Sequence, residues 1–202
     1  MNEASLRIGI IGEFDPVLPS HRATNEALAH AAAHLSVPLE YSWLPSAALA
    51  EYKFADGLKQ FHGLWAAPGG PYQKSDAAHQ EITPEAAHLV ISKMTCSLVG
   101  VSQPIFIRSG TRAEEFYGKA EATEQFRCSY GLAPEYRRQI AASELQVTAV
   151  GPDGEARVVE LPRQRFFLAT LYLPQLLSSV ANPHPLIVAF LRAAAQLEGR
   201  RD

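Results

Sequence analysis

The chain is 202 residues long, 47% hydrophobic and 19% charged, with a formal charge of -3. These values describe one ordinary globular domain, long enough to bury a substantial core and far from the composition of a disordered chain. The slightly acidic balance offers no basic footprint for nucleic acid or an anionic membrane, and no apolar run approaches the ~18 residues of a membrane span.

Residues 1–7 lack the charged and apolar regions of a signal peptide, and two cysteines, Cys96 and Cys128, are too few for a disulfide framework. A reduced, cytoplasmic protein is expected. Leu6 to Gly12 is a short apolar run closed by glycine, which reads as a buried strand. Ser20 is placed to cap a helix through Ala23, Leu28, Ala31, Ala32 and Leu35, ending before Val37-Pro38. Val37 to Leu44 reads as a second strand, a weaker helical stretch follows around Ala47 to Tyr52, and Gly63 to Ala67 reads as a third strand, stopped by Pro68-Gly69-Gly70-Pro71. Strand, helix, strand, helix, strand is the rhythm of a parallel sheet with crossover helices.

The second half differs. Leu145 to Val150 and Ala156 to Leu161 flank Gly151-Pro152-Asp153-Gly154, a strong hairpin signal. Phe166 to Leu173 is rich in β-formers. Pro183 to Leu197 reads as a helix, with Leu186, Phe190, Leu191 and Ala194 on one face. No internal repeat, low-complexity tract or linker interrupts the chain, so a single unit over residues 1–202 is expected.

Several stretches in order carry a resemblance. They are Arg7 to Glu13, Asp56-Gly57, Pro68-Gly69-Gly70, Asp76 to Glu81, Tyr117-Gly118, Tyr130, Glu160-Leu161-Pro162, Phe166 to Thr170 and Pro183 to Leu186. None is specific alone, but their order over nearly the whole chain resembles the class I glutamine amidotransferases of the kind found as the C-terminal glutaminase domain of CTP synthase. The likeness is closer still to stand-alone proteins related to that region. It implies an α/β fold of flavodoxin-like type, a doubly wound and mostly parallel sheet with an added antiparallel β-hairpin. It also implies a chemistry. A cysteine on a strand-to-helix elbow attacks the glutamine amide, a histidine carries the proton, a glutamate orients that histidine, and backbone N–H groups hold the oxyanion.

Residue by residue, the resemblance puts Gly70 at the oxyanion glycine and Glu81 at the carboxylate that binds the substrate's α-amino group. Pro71-Tyr72 departs from the usual Phe-Gly. Ser129, before Tyr130, stands where the family has an arginine for the substrate carboxylate, and a serine forms no bidentate ion pair. Arg127 matches a family arginine that does not bind substrate. The family's Phe-His-Pro-Glu reads Tyr172-Leu173-Pro174-Gln175 here, so Leu173 replaces the catalytic histidine and Gln175 its glutamate. Between Pro71 and Asp76 roughly 30–40 residues are missing, about one βα unit carrying the nucleophile elbow. A doubly wound sheet does not easily lose an interior strand. A stretch left out of the sequence, around residues 72–78, is therefore expected in preference to a true deletion.

Other residues admit functional readings beside plainer ones. His30, His34 and Glu26 share a helix face that could hold a metal but reads more simply as solvated surface. His79, beside Glu81, is a weak substitute base, and Cys128 is a weak candidate thiolate near Arg127. Cys96 looks like core. No metal and no cofactor is expected. The chemistry points to a small-molecule enzyme or binder using the former glutamine pocket, around Gly70, Glu81, Ser129, Tyr130 and Cys128, for an amine or amide ligand. The alternatives are a glutamine-hydrolysing subunit supplying ammonia and a pseudoenzyme that regulates a partner. Neither nucleic acid nor membrane is expected as a partner, and self-association is open.

Overall fold

The computed structural model describes residues 5–45, 47, 57–68, 91–93, 98–128, 130–132 and 136–196. Contacts gather these into two compact units.

The first unit begins with β1 (Leu6–Ile11), five of whose six residues are buried. It is the centre of a parallel three-stranded sheet, with β2 (Leu39–Leu44) on one side and β3 (Gly63–Ala66) on the other. A strand paired on both edges and covered on both faces must be apolar nearly throughout, which is why Leu6 to Ile11 does not alternate. Helix α1 (Pro19–Leu35) links β1 to β2. Leu18, not Ser20, is its N-cap, and no side chain caps it. Pro19 opens the first turn instead, where its fixed φ suits the helix and its missing N–H costs nothing. Buried His21, Thr24, Ala27, Leu28, Ala31 and Ala32 recur at helical spacing, and Ser36 ends the helix in the left-handed conformation (φ 56°).

The last helix of this unit, α4 (Pro185–Ala195), is hydrophobic nearly all round and correspondingly buried. His184 caps it, Nδ1 accepting the Leu186 N–H at 3.3 Å. It packs against α1 and β3. The Phe190 ring meets Trp65 edge-on at 5.8 Å and lies over Gly63, where an added Cβ would come within 2.8 Å of the ring. Glycine at 63 is thus what lets the helix approach the strand.

The second unit is antiparallel. Its larger sheet is built from β5 (Val101–Ile107), β6 (Glu121–Phe126), β8 (Gln146–Val150), β9 (Ala156–Glu160) and β10 (Leu168–Thr170). These five strands lie in the order β10-β9-β8-β5-β6. A separate pair joins β4 (Ile91–Lys93) to β7 (Tyr130–Leu132). Helices α2 (Arg112–Tyr117) and α3 (Arg137–Ala142) are short. The Gly151–Gly154 hairpin forms as expected, with Gly154 at φ 74°. The α/β class therefore stands, while among the described residues the antiparallel part exceeds the hairpin expected. Phe166 to Leu173 contributes only a three-residue strand before the chain turns into a 3-10 helix, Pro174–Leu177. Among the described residues no helix is long and apolar enough to cross a membrane.

Candidate functional site

In the second unit the chain leaving β10 is fixed against β6. Leu173 N–H donates to the Gln125 carbonyl at 2.9 Å, and the Thr170 hydroxyl donates to the Tyr172 carbonyl at 2.8 Å. Tyr172 is fully buried, its ring edge-on to Phe126 at 5.7 Å. Leu173 is half-buried, and Gln175, in the 3-10 turn, is 3% exposed. Among the described residues, neither the Nε2 nor the Oε1 of Gln175 has a hydrogen-bond partner. The sequence resemblance makes Leu173 and Gln175 the expected counterparts of a glutaminase's histidine and glutamate. Their side chains are a hydrocarbon and a neutral amide, and neither accepts a proton at working pH.

Around Tyr172 lies a buried polar chain that sequence reasoning missed. Tyr117 Oη donates to Glu124 Oε1 at 2.6 Å, and Tyr172 Oη lies 2.8 Å from Tyr117 Oη. The single Tyr117 proton is committed to the carboxylate, so Tyr172 donates to Tyr117. Burial first, then Tyr172 and Glu124, push the Tyr117 hydroxyl far above the usual phenol range. Burial and then Glu124 do the same to Tyr172. These phenols are fixed donors, not bases. The only hint in the sequence is the alternation of β6, which turns Glu124 inward with Ala122 and Phe126. The Arg157 guanidinium also lies over the Phe126 ring, 5.5 Å from its centre, and pairs with Asp153 at 2.6 Å.

Cys128 is half-buried and forms no disulfide among the described residues, its carbonyl accepting the Leu98 N–H at 3.0 Å. Tyr130 belongs to the β4–β7 pair, opposite Lys93. Gly70, His79, Glu81, Ser129 and the stretch at 72–78 lie outside the described residues.

In the first unit, His21 is the feature the sequence did not single out. Its Nδ1 accepts the Asp15 N–H at 3.0 Å, which leaves the proton on Nε2 to donate to the Pro68 carbonyl, also at 3.0 Å. The ring is 2% exposed and sits beside Phe14 (6.2 Å) and Trp43 (4.8 Å). It thereby ties the loop after β1 to the end of β3, the carboxyl ends of two neighbouring parallel strands, where open α/β sheets bind their ligands. His30, by contrast, meets Ser178 Oγ at 3.4 Å, and no group of three His, Cys, Asp or Glu forms a metal site among the described residues.

The parallel unit with its helices and the antiparallel unit together define the class I glutamine-amidotransferase type of fold. The chain superposes on the glutaminase domain of Trypanosoma brucei CTPS, a structure with bound acivicin, with a TM-score of 0.81 at 19% identity. The match covers 95% of this chain and 94% of that one. A Thermoplasma acidophilum protein described as a component of GMP synthase gives a TM-score of 0.66 at 11% identity, covering 98% of each chain. In sequence, the chain is 26% identical to CTP synthase of Staphylococcus carnosus over 249 residues, which cover 99% of this chain and 46% of that protein. It therefore spans about half the length of the curated relatives it matches. The alignment is longer than the chain's own 202 residues, so the relative carries positions that this chain leaves empty. No family model matches the chain. The resemblance to the CTP synthase glutaminase domain thus holds in both sequence and fold.

Proposed function

We propose that the chain is a glutaminase-like domain that does not hydrolyse glutamine and uses the former glutamine pocket for a small amine or amide. What supports this is the turn after β10: the sequence resemblance puts a glutaminase's base and orienting carboxylate there, and the turn holds Leu173 and a buried Gln175 whose amide has no partner among the described residues. Glutamine hydrolysis requires a proton to leave the nucleophile and reach the departing amine, and without an acceptor the roughly 10²–10⁴-fold contribution of proton transfer is lost. Among the described residues, Tyr117, Glu124 and Tyr172 beside this turn are largely buried and bonded to one another.

The ligand follows from two residues read by resemblance. Glu81 suits an ammonium, and Ser129 withdraws the bidentate contact that would hold a free α-carboxylate. An amine whose carboxyl is amidated or esterified fits this pair better than glutamine does. Losing a charge-assisted contact of about 1.5–3 kcal/mol should weaken glutamine roughly tenfold or more. Calorimetric titration with glutamine and with glutaminamide tests the reading. Glutaminamide is expected to bind more tightly, and Ser129→Arg to recover glutamine. Tighter binding of glutamine than of its amide, or an arginine variant that gains nothing, contradicts it.

A further inference from the structure

A second place on the first unit carries chemistry of its own. Arg7 and Glu40 are direct neighbours across the β1–β2 ladder, as are Gly9 and Ser42, then Ile11 and Leu44. Alternate residues share a face, so Arg7 and Gly9 stand with Glu40, Ser42 and Leu44. Arg7, Glu40, Ser42 and Leu44, with Gln60 and Phe61, line an open cleft of about 400 Å³. Gly9 lies beneath two of its apolar lining residues: a Cβ there would meet Leu44 Cδ1 at 2.8 Å and Phe61 Cγ at 3.2 Å, so only glycine lets those two side chains close over the strand.

The charges on this face are not spent on each other. Arg7 and Glu40 lie opposite in register, yet among the described residues neither side chain has a hydrogen bond or ion pair, and the Ser42 hydroxyl and the Gln60 amide are likewise unengaged. Arg7 is tied down only through its backbone, its N–H donating to His62 Nδ1 at 2.8 Å and its carbonyl accepting the His62 N–H at 2.8 Å. A guanidinium and a carboxylate on adjacent strands, with two neutral hydrogen-bonding groups and an apolar floor between them, match a molecule that carries both charges on one carbon and an apolar tail.

We propose that this cleft binds a free α-amino acid with an apolar side chain. Arg7 takes the carboxylate through its planar fork and Glu40 takes the ammonium. Ser42 and Gln60 complete the polar contacts, while the side chain rests on Leu44 and Phe61. Arg7 and Glu40 are each the second residue of their strands, whereas Pro68 follows the far, carboxyl end of β3. The cleft is therefore separate from the strand-end loops that His21 joins, and it does not depend on the reading of the glutamine pocket.

Calorimetry with L-leucine, 4-methylpentanoic acid, isopentylamine and L-glutamine on the full chain tests this. Leucine should bind with a Kd below about 1 mM. The acid lacks the ammonium and the amine lacks the carboxylate, so each should bind roughly tenfold more weakly or worse, because one charge of the pair is left unmatched. Arg7→Gln and Glu40→Gln should each cost leucine a similar factor. Nuclear magnetic resonance titration of the unaltered protein keeps the test open should a variant misfold: leucine should shift the amides of Arg7, Ser42 and Gln60. No leucine binding up to about 10 mM, an analogue that binds as well as leucine, unchanged affinity in both variants, or shifts confined to other residues would each overturn the site. A Ser129→Arg variant that gains no glutamine affinity while leucine still binds overturns the other pocket and leaves this cleft standing, so the two readings fail separately.

Discussion

Gln175 is the residue on which stability and function part most visibly. Among the described residues its buried amide has no partner; such a group carries its full desolvation cost, about 1–3 kcal/mol, and an apolar side chain of similar shape removes that cost. Gln175→Met is therefore expected to raise the unfolding free energy by about 1–2 kcal/mol in urea denaturation; a loss of stability would mean that the amide has a partner in the native protein. The proposal that Leu173 and Gln175 stand in a glutaminase's proton-transfer positions rests on the register that Phe166 to Thr170 and Pro174 set in the sequence. The burial of Gln175 was not legible, since nothing in a Tyr-Leu-Pro-Gln stretch says which side chain turns inward at a 3-10 turn. His21 was equally hidden. A histidine one residue after a serine reads as surface helix, and its two backbone partners, Asp15 and Pro68, are set by tertiary packing over 47 residues of chain in the second case.

Among the elements, the parallel strands and the hairpin were readable because apolar runs and a Gly-Pro-Asp-Gly turn are local signals, and their observed limits fall within a residue or two of those expected. Helix α1 was readable in extent but not in its start, where Leu18-Pro19 competes with the cap expected of Ser20 and wins by fixing φ. The close packing of α4 on β3 depends on Gly63, which no periodicity reveals. Gly63→Ala should cost about 1–3 kcal/mol through overpacking against the buried Phe190 ring, read as a lower urea midpoint, and trimming the ring in a Phe190→Leu background should reduce that cost. An unchanged midpoint would contradict the packing. At the start of α2, buried Glu160 accepts the backbone N–H groups of Arg112 and Ala113. Burial holds its carboxyl above the usual range, outweighing the opposite pull of those N–H groups and of the Arg112 charge. The folded state thus holds this proton more tightly than the unfolded chain. The group's contribution is fully present below the ordinary glutamate value of about 4.3 and is lost as pH rises through the raised folded one. The stability of the wild type relative to Glu160→Gln should accordingly fall as the pH is raised from below the ordinary glutamate value through the raised folded one in urea unfolding. A rise over that range would contradict the assignment.

At the scale of the whole molecule, the fold class was legible from the alternation of strands and helices in the first half and from the order of the motifs. The size of the antiparallel part was not. Its strands β5 and β6 mix polar and apolar residues, with Glu124 and Thr123 in β6 and Gln103 and Pro104 in β5, so their pairing is fixed by neighbours and not by local pattern. A shared fold does not by itself carry a shared chemistry, because function resides in a few side chains placed on a common architecture. Whether this chain still performs the chemistry of its relatives is decided most directly by ammonia release from glutamine, followed continuously with the purified full chain. Release no faster than in buffer alone is the predicted result, and turnover at about 1 s⁻¹ or faster, a rate ordinary for enzymes, would contradict it.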